Sequence, residues 1–422
     1  MLRRIAGLWV AVWKMRVLGS IRFGPMAASV PVLCFCVALC VHLRGANFPK
    51  SGGAEDPMIP KVEAIFAPLS DARSPGVAVL VRHGGRMVFE RGYGVRDLRS
   101  LAAIDAETNF RLASCTKQFT AMAIMLLVHD KKLSYEQSLA EIFPEFPAYG
   151  TTITIGSLLH HTSGLPDYET LMEQEEKSGG RKWTADHQIH DADVLVLLER
   201  EHVSLFPPGT KWAYSNSGYV VLGLVVAKVS GRSFGDFLRE RIFAPLKMDQ
   251  TIAYEKGKNE VANRAFGHSR LGGAWKQTDQ SSTSATLGDG GVYSSLGDVA
   301  KWDEALAKHT LLSEIEMREA LTPVTLFGGA QPVWPAGQDR AAGSPVAYGF
   351  GWFLDPYRGN ARMWHYGDTM GFHTYIERFG SSASEQGQAG RGGLTIVVLC
   401  NRTDLDPEAL AGKVADLYLG AR

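Results

Sequence analysis

The sequence predicts a mixed α/β (α+β) protein, with a mostly antiparallel sheet built from both chain ends, flanked by helices, and an all-helical insertion. Two groups of observations predict this fold class. β-rich runs occur early in the chain and return late in it, at 76–83, 86–93, 346–354, 373–379 and 394–400. Helical patterns and long loops fill the part between about 135 and 300. Strands at both ends with helices between them are typical of one sheet assembled from both termini.

The length and composition place this chain among globular proteins of more than one structural unit. It has 422 residues, of which 45% are hydrophobic and 21% charged, so a sizeable core can be buried and a disordered chain is excluded. The element pattern divides the body into a sheet-and-helix domain over 59–135 and 300–422 and a helical domain over 136–299. No internal repeat is visible in the sequence.

Residues 1–45 have the order of a secretory signal peptide or a membrane anchor. Basic residues come first, and the run from Phe23 to Leu43 carries no formal charge. Its densest apolar part is short for a membrane-spanning helix, which needs about 20 residues. We therefore expect an exported protein, periplasmic or secreted, with an uncleaved membrane anchor as the alternative. A polar linker over 46–58 follows.

The charge distribution argues against a nucleic-acid binder. The chain has 44 Lys and Arg against 44 Asp and Glu, but residues 1–44 hold six of the basic residues and no acid, so the rest carries a net charge of −6. A nucleic-acid-binding domain normally presents a basic surface. We expect a monomer that acts on a small molecule or a short peptide and needs no cofactor.

The first elements of the body follow from apolar spacing and turn residues. Residues 59–69 have the pattern of a short amphipathic helix, and Gly84-Gly85 joins two β-rich runs into a hairpin. Apolar residues on one stripe predict a helix over 115–129. Residues 169–192 are polar and charged, and we expect them to form a surface insertion.

Later elements follow from capping and helix-breaking residues. The apolar run Gly218–Val229 predicts a buried helix that ends at Gly231. Ser233 can cap the next helix, which stops before Pro245. Asp406-Pro407-Glu408 predicts the start of the last helix, because proline is favoured in a first helical turn.

The first candidate for chemistry is Leu-Ala-Ser-Cys-Thr-Lys, residues 112–117. On a helix, Ser114 and Lys117 share one face, with Cβ atoms about 5–6 Å apart. A serine hydroxyl becomes a nucleophile when a base takes its proton, and a lysine can be that base once burial lowers its pKa. Taken alone, the pair also fits a capping serine and a surface lysine.

Two further motifs offer groups that can move protons or bind a substrate. In Tyr214-Ser215-Asn216, a tyrosine near a cationic lysine can have a lowered pKa, and Asn216 offers a donor and an acceptor to a substrate amide. His365-Tyr366-Gly367 lies just before a late strand, where backbone N–H groups can help to form an oxyanion hole. Taken alone, each motif also fits an ordinary turn.

Two other hydrolase chemistries fit the sequence less well. Cys115 adjoins Ser114, but neighbouring helix positions point about 100° apart, so only one of them can face Lys117, and a packing role for Cys115 is favoured. A disulfide between Cys115 and Cys400 is left open. His160 and His161 are adjacent and point apart on any regular element, so no metal site is expected there.

The three motifs occur in the order Ser-x-x-Lys, Tyr-x-Asn and His-x-Gly. This set resembles the penicillin-recognising serine hydrolases, most closely the branch that contains class C β-lactamases, D-alanyl-D-alanine carboxypeptidases and esterases. Longer stretches similar to this branch lie at 155–166, 208–219, 242–248 and 290–295. The resemblance covers about residues 60 to 415. It implies a sheet-and-helix domain and a helical domain with the site at their junction.

The resemblance implies a catalytic role for three residues. Ser114 is then the acylated nucleophile, and Lys117 accepts its proton. Tyr214 relays that proton to the leaving group and activates the water that releases the acyl group.

Four more residues are implied in substrate binding: Asn216, His365, Gly367 and Asp368. The backbone N–H groups of Ser114 and Asp368 are then expected to form the oxyanion hole. Asp368 also adds a negative charge there, unless it pairs with His365 and orients it.

The third motif departs from the pattern of many β-lactamases and D,D-peptidases. Those proteins carry Lys-Thr-Gly, whose lysine helps to hold the substrate carboxylate, whereas a histidine near pH 7 is largely neutral. The departure weakens the case for a dedicated penicillinase. We expect a serine hydrolase acting on an ester, amide or β-lactam bond. The alternatives are a D,D-peptidase or D-aminopeptidase on peptidoglycan-like peptides, and a weakly catalytic β-lactam or peptidoglycan sensor.

Overall fold

The computed structural model describes residues 56–338, 340–380 and 393–420. The predicted signal peptide or anchor over 1–45 and most of the linker over 46–58 lie outside these residues, so export stays a prediction. Within the described ranges, no helix is both long enough and apolar enough to cross a bilayer.

The helices and strands have the following bounds. The α-helices are α1 Ile59–Phe66, α2 Lys117–His129, α3 Leu139–Ile142, α4 Ile155–Leu159, α5 Tyr168–Lys177, α6 Asp191–Glu199, α7 Asn216–Ser230, α8 Phe234–Leu238, α9 Leu296–Ala307, α10 Glu314–Ala320 and α11 Pro407–Leu419. The strands are β1 Val77–His83, β2 Arg86–Tyr93, β3 Val95–Asp97, β4 Ala102–Ala103, β5 Phe110–Arg111, β6 Ile252–Ala253, β7 His268–Leu271, β8 Ala274–Gln277, β9 Val292–Ser294, β10 Arg362–Thr369, β11 Phe372–Phe379 and β12 Leu394–Cys400.

The main sheet has five strands in the order β10-β11-β12-β1-β2, and every neighbouring pair is antiparallel. Two of its strands come from the beginning of the body and three from its end. The sheet is therefore assembled from both ends of the chain, and the predicted fold class is confirmed.

The central strand β1 is apolar along most of its length because both of its faces are covered. Ala78 and Leu80 point into a core that also contains the buried residues of α2. Val77, Val79 and Val81 point into a second core, which contains buried residues of α1 and α11. The sheet therefore lies between two helical layers.

The helical part of the chain is organised around α7, which packs against α2. Most of its residues are buried on all sides, as the apolar run predicts, and it ends at Gly231, whose φ of +68° lies in the left-handed region. Ser233 accepts a hydrogen bond from the backbone of Asp236 and caps α8. The short strands β6 to β9 add to the helices predicted for this part.

Most residues of the predicted surface segment 169–192 are exposed, and the segment contains most of α5, with Asp167 as its N-cap. One local prediction is wrong: residues 346–354 form isolated bridges instead of a strand. Gly349 explains part of this difference: a Cβ there would lie 2.0 Å from the carbonyl oxygen of Ala320, so the segment packs as a loop against the end of α10.

The aspartate Asp303 of α9 holds that helix on the sheet. It is 5% exposed and forms ion pairs with Arg82 of β1, at 2.6 Å, and with Arg378 of β11. It also accepts a hydrogen bond of 2.7 Å from the hydroxyl of Thr395 on β12. One carboxylate thus serves three neighbouring strands.

Replacing Asp303 by alanine should lower the free energy of unfolding by about 3–5 kcal/mol, because two partly buried guanidinium groups lose their counter-charge. Urea denaturation followed by circular dichroism measures the change. Glu304→Ala is the matched control, since Glu304 is the next residue on α9 and its half-exposed side chain forms ion pairs with Lys308 and, at 3.9 Å, with Arg82. Its loss should cost under about 1 kcal/mol, because exposed ion pairs contribute little. Equal effects of the two substitutions would contradict this assignment.

Candidate active site

Ser114 lies in a 3-10 turn, Ala113–Thr116, that leads directly into α2. The residue before it, Ala113, has a φ of +47°, a left-handed conformation that costs a non-glycine residue about 1–2 kcal/mol. Ser114 is half-buried, whereas its flanking residues are buried. The strained turn therefore presents one hydroxyl at the surface of an otherwise closed core.

Lys117 is the first residue of α2, and its side chain is fully buried. Its Nζ lies 3.0 Å from Ser114 Oγ, 2.9 Å from Asn216 Oδ1 and 3.0 Å from the carbonyl oxygen of Asp289. The predicted pair of Ser114 and Lys117 is thus in hydrogen-bond contact, one helical turn apart.

These three neighbours determine what the amine can do. The amide oxygen of Asn216 and the carbonyl oxygen of Asp289 can only accept hydrogen bonds, whereas the hydroxyl of Ser114 can also donate one. A neutral amine has two N–H groups and one lone pair. With both N–H groups on the two obligate acceptors, the lone pair faces the hydroxyl of Ser114.

Burial lowers the pKa of Lys117 from its ordinary value to about 8. The negative charges of Asp289 and Asp167 act in the opposite direction and keep the pKa from falling further. A substantial fraction of the amine is therefore neutral just above pH 7. The lysine is available as a base, which a surface lysine with a pKa near 10.4 is not.

Tyr214 lies next to this amine, with the centre of its ring 4.9 Å from Lys117 Nζ. Its hydroxyl has no hydrogen-bond partner among the described residues. The expected lowering of its pKa is not found. Burial and the nearby phenol of Tyr366 raise the pKa of Tyr214 well above 10, although the Ser114 side chain acts to lower it. The phenol is therefore protonated at neutral pH.

Asn216 is the first residue of α7 and is half-buried. Its Oδ1 is occupied by Lys117, so the amide N–H groups are the part of the side chain that remains to bind a substrate oxygen. The helix start is fixed by Ser215, whose side chain accepts a hydrogen bond from the backbone of Gly218.

Gly367 lies inside β10, and not in a turn before a strand as the sequence suggests. A Cβ at this position would stand 2.1 Å from the carbonyl oxygen of Leu112, 3.1 Å from the backbone N of Ser114 and 3.2 Å from that of Cys115. Only glycine lets the edge strand approach the nucleophile turn so closely. Backbone N–H groups of the strand and of the turn are thus brought together.

His365 is buried and does not reach the exposed surface of the site. It is 0% exposed, its Nδ1 lies 2.6 Å from the carbonyl oxygen of Tyr366, and its Nε2 lies 3.1 Å from the hydroxyl of Tyr348. Because a carbonyl only accepts, Nδ1 carries the hydrogen and Nε2 accepts from Tyr348. Burial and the charge of Lys117 lower the pKa of His365 to about 3, so the ring is neutral.

Asp368 points away from this buried histidine. Its side chain is 57% exposed, and its carboxylate lies 3.9 Å from Nε2 of His373. Both ring nitrogens of His365 are already engaged. Of the two alternatives for Asp368, pairing with His365 is therefore not supported, because both nitrogens of that ring have other partners.

The two cysteines of the body are free and buried. Burial, with a smaller contribution from Asp368, raises the pKa of Cys115 well above 9. The thiol of Cys115 instead donates a hydrogen bond of 3.3 Å to the carbonyl oxygen of His365. Cys115 therefore packs the nucleophile turn against β10, and Cys400 does not pair with it.

Sequence reasoning missed a group of acidic residues whose charges act on Lys117: Asp167, Glu169 and Asp289. Within the described ranges, no Lys or Arg forms an ion pair with any of the three. Burial is the main cause that raises the pKa of Asp167 and that of Glu169, the latter to about 7, and the neighbouring carboxylates add to it. The sequence offers a weak signal for this group, since two of its members directly follow the stretch 155–166.

The family model described as Beta-lactamase matches residues 62–420. This chain belongs to the beta-lactamase family. The match includes every motif residue described above. Among the described residues, no three His, Cys, Asp or Glu side chains are grouped so that they can hold a metal ion.

Curated relatives are similar over most of this chain. A penicillin-binding protein of Bacillus subtilis (strain 168) is 29% identical over 332 residues, which cover 75% of this chain and 68% of that protein. The D-aminopeptidase of Cereibacter sphaeroides is 26% identical over 363 residues, which cover 83% of this chain and 60% of that protein.

A solved structure supports the fold assignment. The D-amino acid amidase from Ochrobactrum anthropi SV3 aligns with a TM-score of 0.68 in its complex with L-phenylalanine amide and of 0.67 in its complex with L-phenylalanine. In the first of these the identity is 23%, and the alignment covers 86% of this chain and 99% of the amidase. At this sequence identity, the comparison supports the fold alone.

Proposed function

We propose that this chain is a serine hydrolase that cleaves an ester or amide bond through an acyl-enzyme on Ser114. The observation that carries the proposal is the position of Lys117 Nζ. It is fully buried and held by two obligate acceptors, and its third neighbour is the hydroxyl of Ser114 at 3.0 Å. A lysine placed in this way serves as the base for one hydroxyl.

In the first proposed step, Ser114 Oγ attacks the substrate carbonyl carbon while its proton moves to Lys117 Nζ. The negative charge that develops on the carbonyl oxygen is stabilised by the backbone N–H groups of Ser114 and Asp368, where β10 approaches the turn. Tyr214, as a neutral phenol beside Lys117, then gives its proton to the leaving group and takes up the serine proton from Lys117 Nζ, which leaves the amine neutral again. The C–O or C–N bond breaks, and the acyl group remains on Ser114.

In the second proposed step, a water molecule attacks the acyl ester. Its proton passes by way of Tyr214 to Lys117, the Ser114 ester bond breaks, and Lys117 Nζ gives that proton to Ser114 Oγ, which restores the hydroxyl. Asn216 holds the substrate through its amide N–H groups during both steps. The same two proton-carrying groups thus act in opposite directions, as microscopic reversibility requires.

The third motif favours esters and amides over penicillins as substrates. His365 is neutral and fully buried, so it supplies no cation for a substrate carboxylate at this position. We therefore expect measurable hydrolysis of a short-chain p-nitrophenyl ester and weak turnover of a chromogenic cephalosporin.

Incubation with p-nitrophenyl acetate should acylate the protein once, at Ser114, because no other described hydroxyl contacts Lys117. Mass spectrometry of the quenched reaction detects the added acetyl group, and peptide mapping locates it. Ser114→Ala should lose the adduct and at least about 10³-fold in kcat. Cys115→Ala is the matched control and should retain both. A stable adduct without turnover would favour the sensor alternative, and an adduct on Cys115 would contradict the proposal.

The kcat/KM of ester hydrolysis should rise with pH through about 8 and then level off. Burial lowers the pKa of Lys117 to about 8, and only the neutral amine accepts the serine proton. Below that pH the rate should fall by about tenfold per unit as the amine becomes protonated. The measurement is a pH–rate profile from pH 6 to 9.5 on the wild-type protein. A flat profile over this range would contradict the role given to Lys117.

A second candidate function, a D-aminopeptidase or D-amino-acid amidase, is favoured by one further observation. Asp167, Glu169 and Asp289 place negative charge around Lys117 and have no Lys or Arg partner in the described parts of the chain. A cleft of one sign of charge favours a substrate of the other sign. A substrate with a free amino group suits this field, as the names of the D-aminopeptidase and the amidase relatives suggest.

D-alanine p-nitroanilide should therefore be cleaved faster than its N-acetyl derivative. At pH 8, where Glu169 with its pKa of about 7 is mostly ionised, Glu169→Gln should reduce that preference by about tenfold, since one charged hydrogen bond of about 1.5 kcal/mol is lost. Steady-state kcat/KM values for both anilides measure the preference. Glu176→Gln, on the same helix α5 but paired with Lys182, is the matched control. Equal rates for the two anilides in the wild-type protein would leave the esterase proposal as the better one.

A further inference from the structure

His161 holds the chain segment that carries Tyr214. Its main-chain carbonyl oxygen accepts a hydrogen bond of 3.0 Å from the backbone N–H of Ala213. Its ring atom Nδ1 accepts a hydrogen bond of 3.1 Å from the backbone N–H of Ser215. The two contacts fall on the residues immediately before and after Tyr214, so one histidine brackets the tyrosine on both sides.

The ring of His161 also packs on the ring of Tyr214. Their centres are 4.4 Å apart, with an angle of 36° between the planes. The far side is closed by Tyr219 and Tyr348, whose ring centres lie 5.1 Å and 4.7 Å from the imidazole. His161 is 1% exposed, so the ring has no freedom to turn away from the tyrosine.

The hydrogen bond to Ser215 fixes the protonation state of this histidine. A backbone N–H always donates, so Nδ1 is unprotonated and the single ring hydrogen lies on Nε2. Burial and the charge of Lys117 lower the pKa of His161 well below its ordinary value, which is consistent with a neutral ring.

Two costs accompany this arrangement. The buried Nε2 has no hydrogen-bond partner among the described residues, and an unsatisfied buried donor costs about 1–3 kcal/mol. The backbone of His161 has a φ of +59°, which is unfavourable for a residue with a Cβ. A purely apolar side chain would fill the same space without the first cost. The advantage of an imidazole at this position is therefore its hydrogen-bond acceptor, Nδ1.

We propose that His161 is a positioning residue that fixes the place of the Tyr214 hydroxyl beside Ser114 and Lys117. The inference rests on the proposed function, in which Tyr214 moves protons in both steps. His161 itself touches neither the substrate nor the reacting atoms. Its contribution is to hold the main chain at 213 and 215 and to restrict the tyrosine ring.

The test compares two substitutions that differ in the acceptor. His161→Leu has a similar volume and no acceptor, whereas His161→Asn can place its amide oxygen near the position of Nδ1 and tolerates a positive φ. With p-nitrophenyl acetate, His161→Leu should lower kcat by about 10- to 100-fold, with KM changed by less than about threefold. His161→Asn should recover most of the loss. The amplitude of the initial burst of p-nitrophenol counts the sites that become acylated. Dividing the steady-state rate by this amplitude gives kcat per active site, so partly unfolded protein does not affect the value.

A double-mutant cycle with Tyr214→Phe separates positioning from a structural role. If His161 acts through Tyr214, the double variant should be no slower than Tyr214→Phe alone, within about threefold. His160→Asn, at the adjacent histidine, is the control and should stay within about threefold of the wild type. Three outcomes would overturn the inference. The rate losses of the two single variants could multiply in the double variant, or the Leu and Asn variants could lose equal amounts of activity. Tyr214→Phe could also turn over the ester as fast as the wild type. A different result would contradict the proposed function itself, namely an acyl adduct that still forms in Ser114→Ala.

Discussion

The structure depends on one buried amine. Taking a lysine out of water is costly unless the amine is neutral or its N–H groups are bonded, and Lys117 meets both conditions in part. Two acceptors from distant parts of the chain, Asn216 and Asp289, hold its N–H groups, and the nearby carboxylates limit how far its pKa falls. The remaining lone pair then has one neighbour, the hydroxyl of Ser114. The chemistry proposed here follows from that geometry.

Three unusual backbone positions make this geometry possible: two left-handed residues and one close approach of a strand. The turn before α2 accepts a left-handed Ala113, which exposes the serine hydroxyl. Gly367 lets β10 approach the backbone of Ser114 to a distance that any side chain would prevent. His161, also left-handed, brings the segment around Tyr214 against the same turn. Each position is unfavourable or restrictive by itself, and together they bring a hydroxyl, an amine and a phenol into one cleft.

The charges around the site bear on the substrate class proposed above. At the third motif, His365 is neutral and bonded on both nitrogens, so it offers no cation. Asp167, Glu169 and Asp289 act electrostatically on Lys117, and no Lys or Arg forms an ion pair with them in the described part of the chain. Both features support the proposal of a substrate that is neutral or positively charged over one with a carboxylate.

The sequence by itself determined the sheet built from both chain ends and the buried helix α7, which rest on local periodicity and on glycine and serine at helix ends. It also predicted the pair of Ser114 and Lys117, from a spacing of three residues taken together with the order of the three motifs. The tertiary structure decided that Asp289 and His161 belong to the site, that His365 is buried, and that the pKa of Tyr214 is raised. The sequence could not supply these, because burial and through-space contacts set pKa values and hydrogen-bond partners. Such contacts join distant residues, for example Cys115 and His365, which are 250 positions apart.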